Sequence, residues 1–150
     1  MAVTIGEICD AIETTLSAAV GLISSQSYDE LQEGLPAADL PLIQVYWEGF
    51  MMDPWGETDR QTFRGGVRNK PIIIHVDLYA TRRSHIGEDM KAVVDGVDAL
   101  IDVLEEQDTK PYFGLVGLKA FSVDDVVRAE FIYGNESYLG ARFVLIAWVF

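Results

Sequence analysis

The stretch from Pro71 to Gln107 constrains this chain most, because it reads as a strand that turns directly into a long helix. Ile72, Ile74, Val76, Leu78 and Ala80 alternate with Ile73, His75, Asp77, Tyr79 and Thr81. A period of two rich in β-branched residues predicts a half-buried strand. Arg82 and Arg83 close it, and Ser84 suits the cap of the helix that follows. Ile86, Met90, Val93, Val94, Val97, Leu100, Ile101 and Leu104 then recur at three- and four-residue steps, an apolar stripe along one helix face. The opposite face carries Asp95, Asp98, Asp102, Glu105 and Glu106. One strand face and one helix face therefore seek the same core, around which the other segments must pack.

The flanking segments supply a second helix and three more strands. Val3, Thr4, Glu7 and Ile8 fit a capping box with a hydrophobic staple. The stripe Ile5, Ile8, Cys9, Ile12, Leu16, Ala19, Val20, Ile23 carries that helix to Ser24 or Ser25. Residues 24–41 read as a polar connector with Gly34, Pro36 and Pro41. Leu42–Glu48 is the first strand, with Leu42, Val45 and Trp47 partly buried, and Gly49–Arg68 a long loop. Asp108–Gly117 is a connector, and Lys119–Tyr133 a strand with a break at Asp124-Asp125. After a turn at Gly134–Ser137, Tyr138–Phe150 is a last strand, apolar on both faces. The predicted class is α+β, ordered helix–strand–strand–helix–strand–strand. Its single sheet is mainly antiparallel or mixed, with two helices packed on one face. The other face of the sheet is then expected to meet another subunit.

With 150 residues, one domain can bury a core without metal or disulfide staples. The single Cys9 excludes an internal disulfide, and its place on a helix stripe makes it a small core residue rather than a nucleophile. Residues 1–20 lack the basic start of a signal peptide. The longest apolar run, Phe143–Phe150, falls short of the roughly 20 residues a membrane helix needs. The expectation is a protein made soluble in the cytoplasm, with no membrane partner.

A net charge of −13 opposes ordinary nucleic-acid binding, which needs clustered Lys and Arg. The charges are also segregated. Residues 1–59 contain no Lys or Arg, whereas Arg60, Arg64, Arg68, Lys70, Arg82 and Arg83 fall within 60–83 beside a single acid, Asp77. A solvated basic loop explains this blandly. A sharper explanation is a basic segment on one subunit meeting an acidic surface on its neighbour, a head-to-tail contact that can close into a ring. Met51, Met52, Trp55 and Phe63 are poor residues for a free loop and suit one that docks, either on its own domain or on a partner. The candidate interaction residues are Met51, Met52, Trp55, Arg60, Phe63, Arg64, Arg68, Arg82 and Arg83.

No catalytic motif stands out. Gly65-Gly66 lacks the surroundings of a phosphate loop, and no zinc spacing or Ser–His–Asp signature is present. His75 and Asp77 share a strand face, and with His85 they form the only tempting metal set. A hydrogen-bonded His–Asp pair and an exposed His85 are the better reading, so no catalytic residue, metal or cofactor is assigned.

Several runs resemble the tail terminator (minor tail, tail-completion) proteins of long-tailed bacteriophages. They are Thr58 to Arg68 (TDRQTFRGGVR), His75 to Ala80 (HVDLYA), Arg83 to Met90 (RSHIGEDM), Pro111 to Leu115 (PYFGL) and Gly140 to Phe143 (GARF). The resemblance extends over most of the chain. It implies a structural virion protein of the tail neck, made in the host cytoplasm, that assembles into a ring, usually of six copies. Such a ring caps the tail tube, stops its polymerisation and offers the surface on which the head connector or stopper docks. No reaction is catalysed, and DNA only passes through the lumen. A stopper or head-completion ring of the same neck is the nearest alternative. A small metal-dependent enzyme built on His75, Asp77 and His85 is a remote one.

Overall fold

The structure, a computed structural model, describes residues 3–32, 35–51, 71–83, 86–133 and 135–149. The elements run α1 (Ile5–Leu16), β1 (Ser24–Gln26), β2 (Leu42–Phe50), β3 (Ile72–Arg82), α2 (Ile86–Glu105), β4 (Ala120–Tyr133) and β5 (Glu136–Trp148), with short 3-10 turns at Ala37–Asp39 and Tyr112–Gly114. They form an α+β fold around one mixed five-stranded sheet in the order β1-β2-β3-β5-β4. β1 pairs parallel with β2, and every other pairing is antiparallel.

The strand-to-helix stretch forms the centre of the molecule. Ile72, Ile74, Val76, Leu78 and Ala80 are buried. They share a core with Ile8, Cys9, Ile12 and Leu16 of α1, Val93, Leu100 and Leu104 of α2, and Phe143, Leu145 and Ala147 of β5. α1 packs on β2, and α2 on β3 and β5. Gly96 lets α2 approach closely, since a Cβ there would stand 2.8 Å from Leu78 Cδ2. Val94 departs from the predicted stripe and is half exposed, because the helix seats its Val93–Leu100–Leu104 line and turns Val94 outward. Among the described residues no helix is long and apolar enough to cross a membrane.

α1 opens as its sequence dictates. Thr4 Oγ1 accepts from the Glu7 N–H at 3.1 Å, and Glu7 Oε2 accepts from the Thr4 N–H at 3.3 Å. It ends at Leu16 rather than near Ser24. Ser17 Oγ donates to the Thr14 carbonyl at 2.6 Å, and Gly21 takes φ +82°, a left-handed turn that carries the chain away from the helix axis. Val20 and Ile23, placed on the stripe by period alone, are exposed.

The connector 24–41 contains β1, so the strand count exceeds the sequence expectation by one. β2 runs on to Phe50, beyond the expected end at Glu48, and Trp47 is exposed rather than partly buried. The expected break in β4 is a register shift between Val123 and Asp125. Tyr133 pairs with Glu136 at the end of the β4–β5 hairpin.

Candidate functional site

The polar side chains that the fold concentrates lie on the sheet face away from the helices. Strand pairing sets them there. Asp77 on β3 faces Arg142 on β5, and Tyr46 on β2 faces His75 on β3. Asp77 is buried, and both its oxygens are engaged. Arg142 Nε donates to Oδ1 at 2.7 Å and Arg142 Nη2 to Oδ2 at 3.1 Å, while the Tyr46 hydroxyl donates to Oδ2 at 2.7 Å. Arg142 Nη2 also donates to the Tyr46 hydroxyl oxygen at 3.1 Å, so the three side chains form a closed fork. The Arg142 guanidinium carbon lies 5.8 Å from the centre of the Phe131 ring, within cation–π range.

The electrostatics of this fork resist proton transfer. The hydrogen bond that Arg142 donates to Asp77, more than the charge of Asp77, raises the Arg142 pKa. Burial and then the bond to Asp77 raise that of Tyr46, which stays a neutral donor. Burial and then the Arg142 charge lower that of His75. The His75 ring meets Tyr46 edge-on at 5.6 Å, and its buried Nδ1 lies 3.6 Å from Glu48 Oε2 without a hydrogen bond. The expected His75–Asp77 hydrogen bond is replaced by the fork, because a cross-strand arginine reaches the carboxylate bidentately. Cys9 is buried, and burial pushes its thiol up to about 12, so it remains an unreactive core thiol. Among the described residues no set of three or more His, Cys, Asp and Glu side chains is placed to hold a metal ion. His85 lies outside the described residues.

Beyond the fork, the same face is sealed by the chain itself. Leu35, Leu40 and Leu42 pack with Tyr79, Phe131 and Tyr138 in a second apolar cluster. Tyr79 stacks on Phe131 at 4.3 Å, and the Tyr138 hydroxyl both donates to the Leu35 carbonyl and accepts from its N–H, at 3.1 and 3.2 Å. Part of the face expected to meet another subunit is thus covered by residues 35–42.

No protein-family model matches this chain, and no curated protein matches it.

Of the interaction residues named from sequence, Met52, Trp55, Arg60, Phe63, Arg64 and Arg68 lie outside the described residues. Met51 is partly buried, and its N–H donates to the Pro71 carbonyl at 2.9 Å, joining the ends of β2 and β3. Arg82 and Arg83 are brought together at the far end of β3, against the β4–β5 hairpin. Arg82 Nη2 donates to the Leu35 carbonyl at 3.1 Å, and its Nε lies 3.8 Å from Glu136. Arg83 Nη1 contacts both Glu130 oxygens at 3.1 Å. Both arginines fasten parts of the same chain. Sequence reasoning missed the fork, although its signal was present: Asp77 and Arg142 are charges set inside the otherwise apolar runs Ile72–Thr81 and Tyr138–Trp148.

The remaining feature is β4. The strand is 14 residues long and forms one margin of the sheet, at the rim of the helical layer. Val123, Val127 and Ile132 are exposed along it. The outer face of α2 is acidic, with Asp95, Asp98, Asp102 and Glu105 exposed and Asp95 bound by Lys91 at 2.6 Å.

Proposed function

We propose that this chain is a structural protein of a bacteriophage tail neck, a ring-forming tail terminator that caps the tail tube, stops its polymerisation and provides the head-docking surface. The observation that carries assembly over catalysis is the contrast between a closed polar fork and an apolar margin strand. The Asp77–Arg142–Tyr46 groups satisfy one another, while β4 leaves Val123, Val127 and Ile132 uncovered. Exposed apolar groups along a margin strand favour a protein partner. The acidic α2 face and the net charge of −13 suit a lumen that DNA traverses without being gripped. The resemblance of residues 58–68, 75–80, 83–90, 111–115 and 140–143 to tail terminators supports the tail neck as its place. In this reading the partners are further copies of the chain, the tail tube protein and the head connector. The basic residues of 60–68 serve contacts between subunits or with the tube, and no cofactor or reaction is involved.

Tube growth tests the proposal. Tail tube protein polymerising with this chain present is expected to give tubes that carry a ring at one end and no longer elongate there. Unchanged tube length, with the chain bound to head connectors instead, would move it to the stopper ring. Binding to neither would remove it from the neck.

A further inference from the structure

We infer that the outer edge of β4 is an interface between copies of this chain, pairing antiparallel with the free length of β2, Val45–Phe50, of the next copy. The inference rests on the assembly part of the proposed function and specifies the surface that performs it.

Among the described residues the sheet order leaves two backbone edges open on opposite margins. On one side lies β4. On the other, β1 is only three residues long and pairs β2 at Leu42, Ile43 and Gln44, so among the described residues Val45–Phe50 is paired on its β3 side alone. A free edge presents a row of N–H and C=O groups whose natural complement is another strand. Proteins that avoid such pairing keep edge strands short, charged or covered. β1 obeys that rule by its length, and β4 only at its start, where Asp124 and Asp125 are exposed at a register shift.

Each face of β4 also leaves an apolar side chain exposed within 126–133, beside the buried Phe131. Ile132 pairs with Ser137, on the face of Leu139 and the helix-covered core, and is 64% exposed. Val127 pairs with Arg142 on the opposite face and is 44% exposed. A partner that lay on only one face would leave the other side chain in water, whereas a continuing sheet reaches both. α1 packs over one face of β2.

Strand direction then selects the geometry. β2, β3, β5 and β4 are successively antiparallel, so β2 and β4 run in opposite directions. A second copy set beside the first in the same orientation brings an antiparallel partner to β4, the more stable kind of pairing. The contact joins two different edges, so it repeats from copy to copy and forms a ring when the rotation closes. A two-fold β4–β4 contact would use one edge, leave Val45–Phe50 open and stop at two copies. The register shift at Asp124, with Asp124 and Asp125 exposed, blunts the start of β4 and places the pairing on its regular part, Val126–Tyr133.

Hydrogen–deuterium exchange of the full chain at dilute and concentrated conditions, read beside its native mass, tests this. Amides in 126–133 and 45–50 are expected to slow together by at least about tenfold as the oligomer forms. The double substitution Val127→Lys with Ile132→Lys is expected to return the mass to a single chain that is still folded by circular dichroism. Val20→Lys, at an exposed site on the helix side, should leave the oligomer whole. Protection that ignores concentration, or that rises in 126–133 alone, overturns the pairing. An oligomer that survives both lysines also overturns it and leaves ring assembly standing. An oligomer that both lysines dissociate but that fails to cap tubes upholds the pairing and removes the tail function.

Discussion

The two faces of the central sheet hold together by different physics. The helix-covered face is apolar throughout, with Ile74, Val76, Leu78, Phe143 and Leu145 packed under α1 and α2. Burial of this kind is non-directional and tolerates exchange among side chains of similar volume. The opposite face relies on directed contacts. Asp77, Arg142 and Tyr46 satisfy one another only when β2, β3 and β5 are in the observed register, and Tyr79, Phe131 and Tyr138 meet ring to ring beside them. A one-residue slip of β3 would send its buried row outward and separate Asp77 from its arginine. The first face supplies most of the stability, and the second selects among alternatives.

The largest expected effect lies where the faces constrain each other through the backbone. Gly140 pairs with Tyr79, and a Cβ there would run into the Leu78 carbonyl group. Because the obstacle is main chain, Gly140→Ala should cost more than the roughly 3 kcal/mol of ordinary overpacking and yield little folded protein. A normal melting curve for that variant would show that β3 and β5 can separate there.

Next come single side chains on each face, measured by denaturant unfolding. Phe143→Ala should cost about 3–5 kcal/mol, as expected for a buried phenylalanine. Arg142→Met should cost about 2 kcal/mol, less than breaking a fully buried pair, because Tyr46 still donates to Asp77 and the arginine is partly solvated. Adding Asp77→Leu should then recover most of that loss, since no carboxylate is left stranded. A double variant as unstable as the single one would mean that the fork contributes net stability rather than register.

The smallest effect is a pH dependence confined to the second face. Burial, then the Arg142 charge, lowers the His75 pKa, with Glu48 and Asp77 opposing. The unfolded chain therefore takes up this proton first. The His75 contribution is intact above the ordinary value of 6.5 and is lost as the pH falls through the lower folded-state value. Replacing His75 by Gln should flatten stability against pH in that window, and an unchanged slope would assign it to other groups.

What the sequence revealed follows the same division. The helix-covered face was legible because periods of two and of three to four residues are written directly into Ile72–Ala80 and Val93–Leu104. The α1 cap was legible from the Thr4–Glu7 spacing, and the β4 irregularity from adjacent aspartates inside an apolar alternation. Period misled where local bonds overrule it. Val20 and Ile23 continue the α1 stripe, yet the helix stops at Leu16 and the chain turns at Gly21, which leaves both exposed. β1 carries no pattern of its own, since Ser24–Gln26 becomes a strand through its pairing with β2. Asp77 was associated with its neighbour on the same strand, whereas its partner lies 65 residues away. Cross-strand contacts depend on register, which no local window contains.

The most direct test of the account is the native mass of the unmodified chain from dilute to concentrated solution. The account predicts one discrete closed oligomer of about six chains, with nothing larger growing in as concentration rises, because a head-to-tail contact that closes has no free edge left. A single chain at every concentration, or an open-ended ladder of sizes, would contradict it.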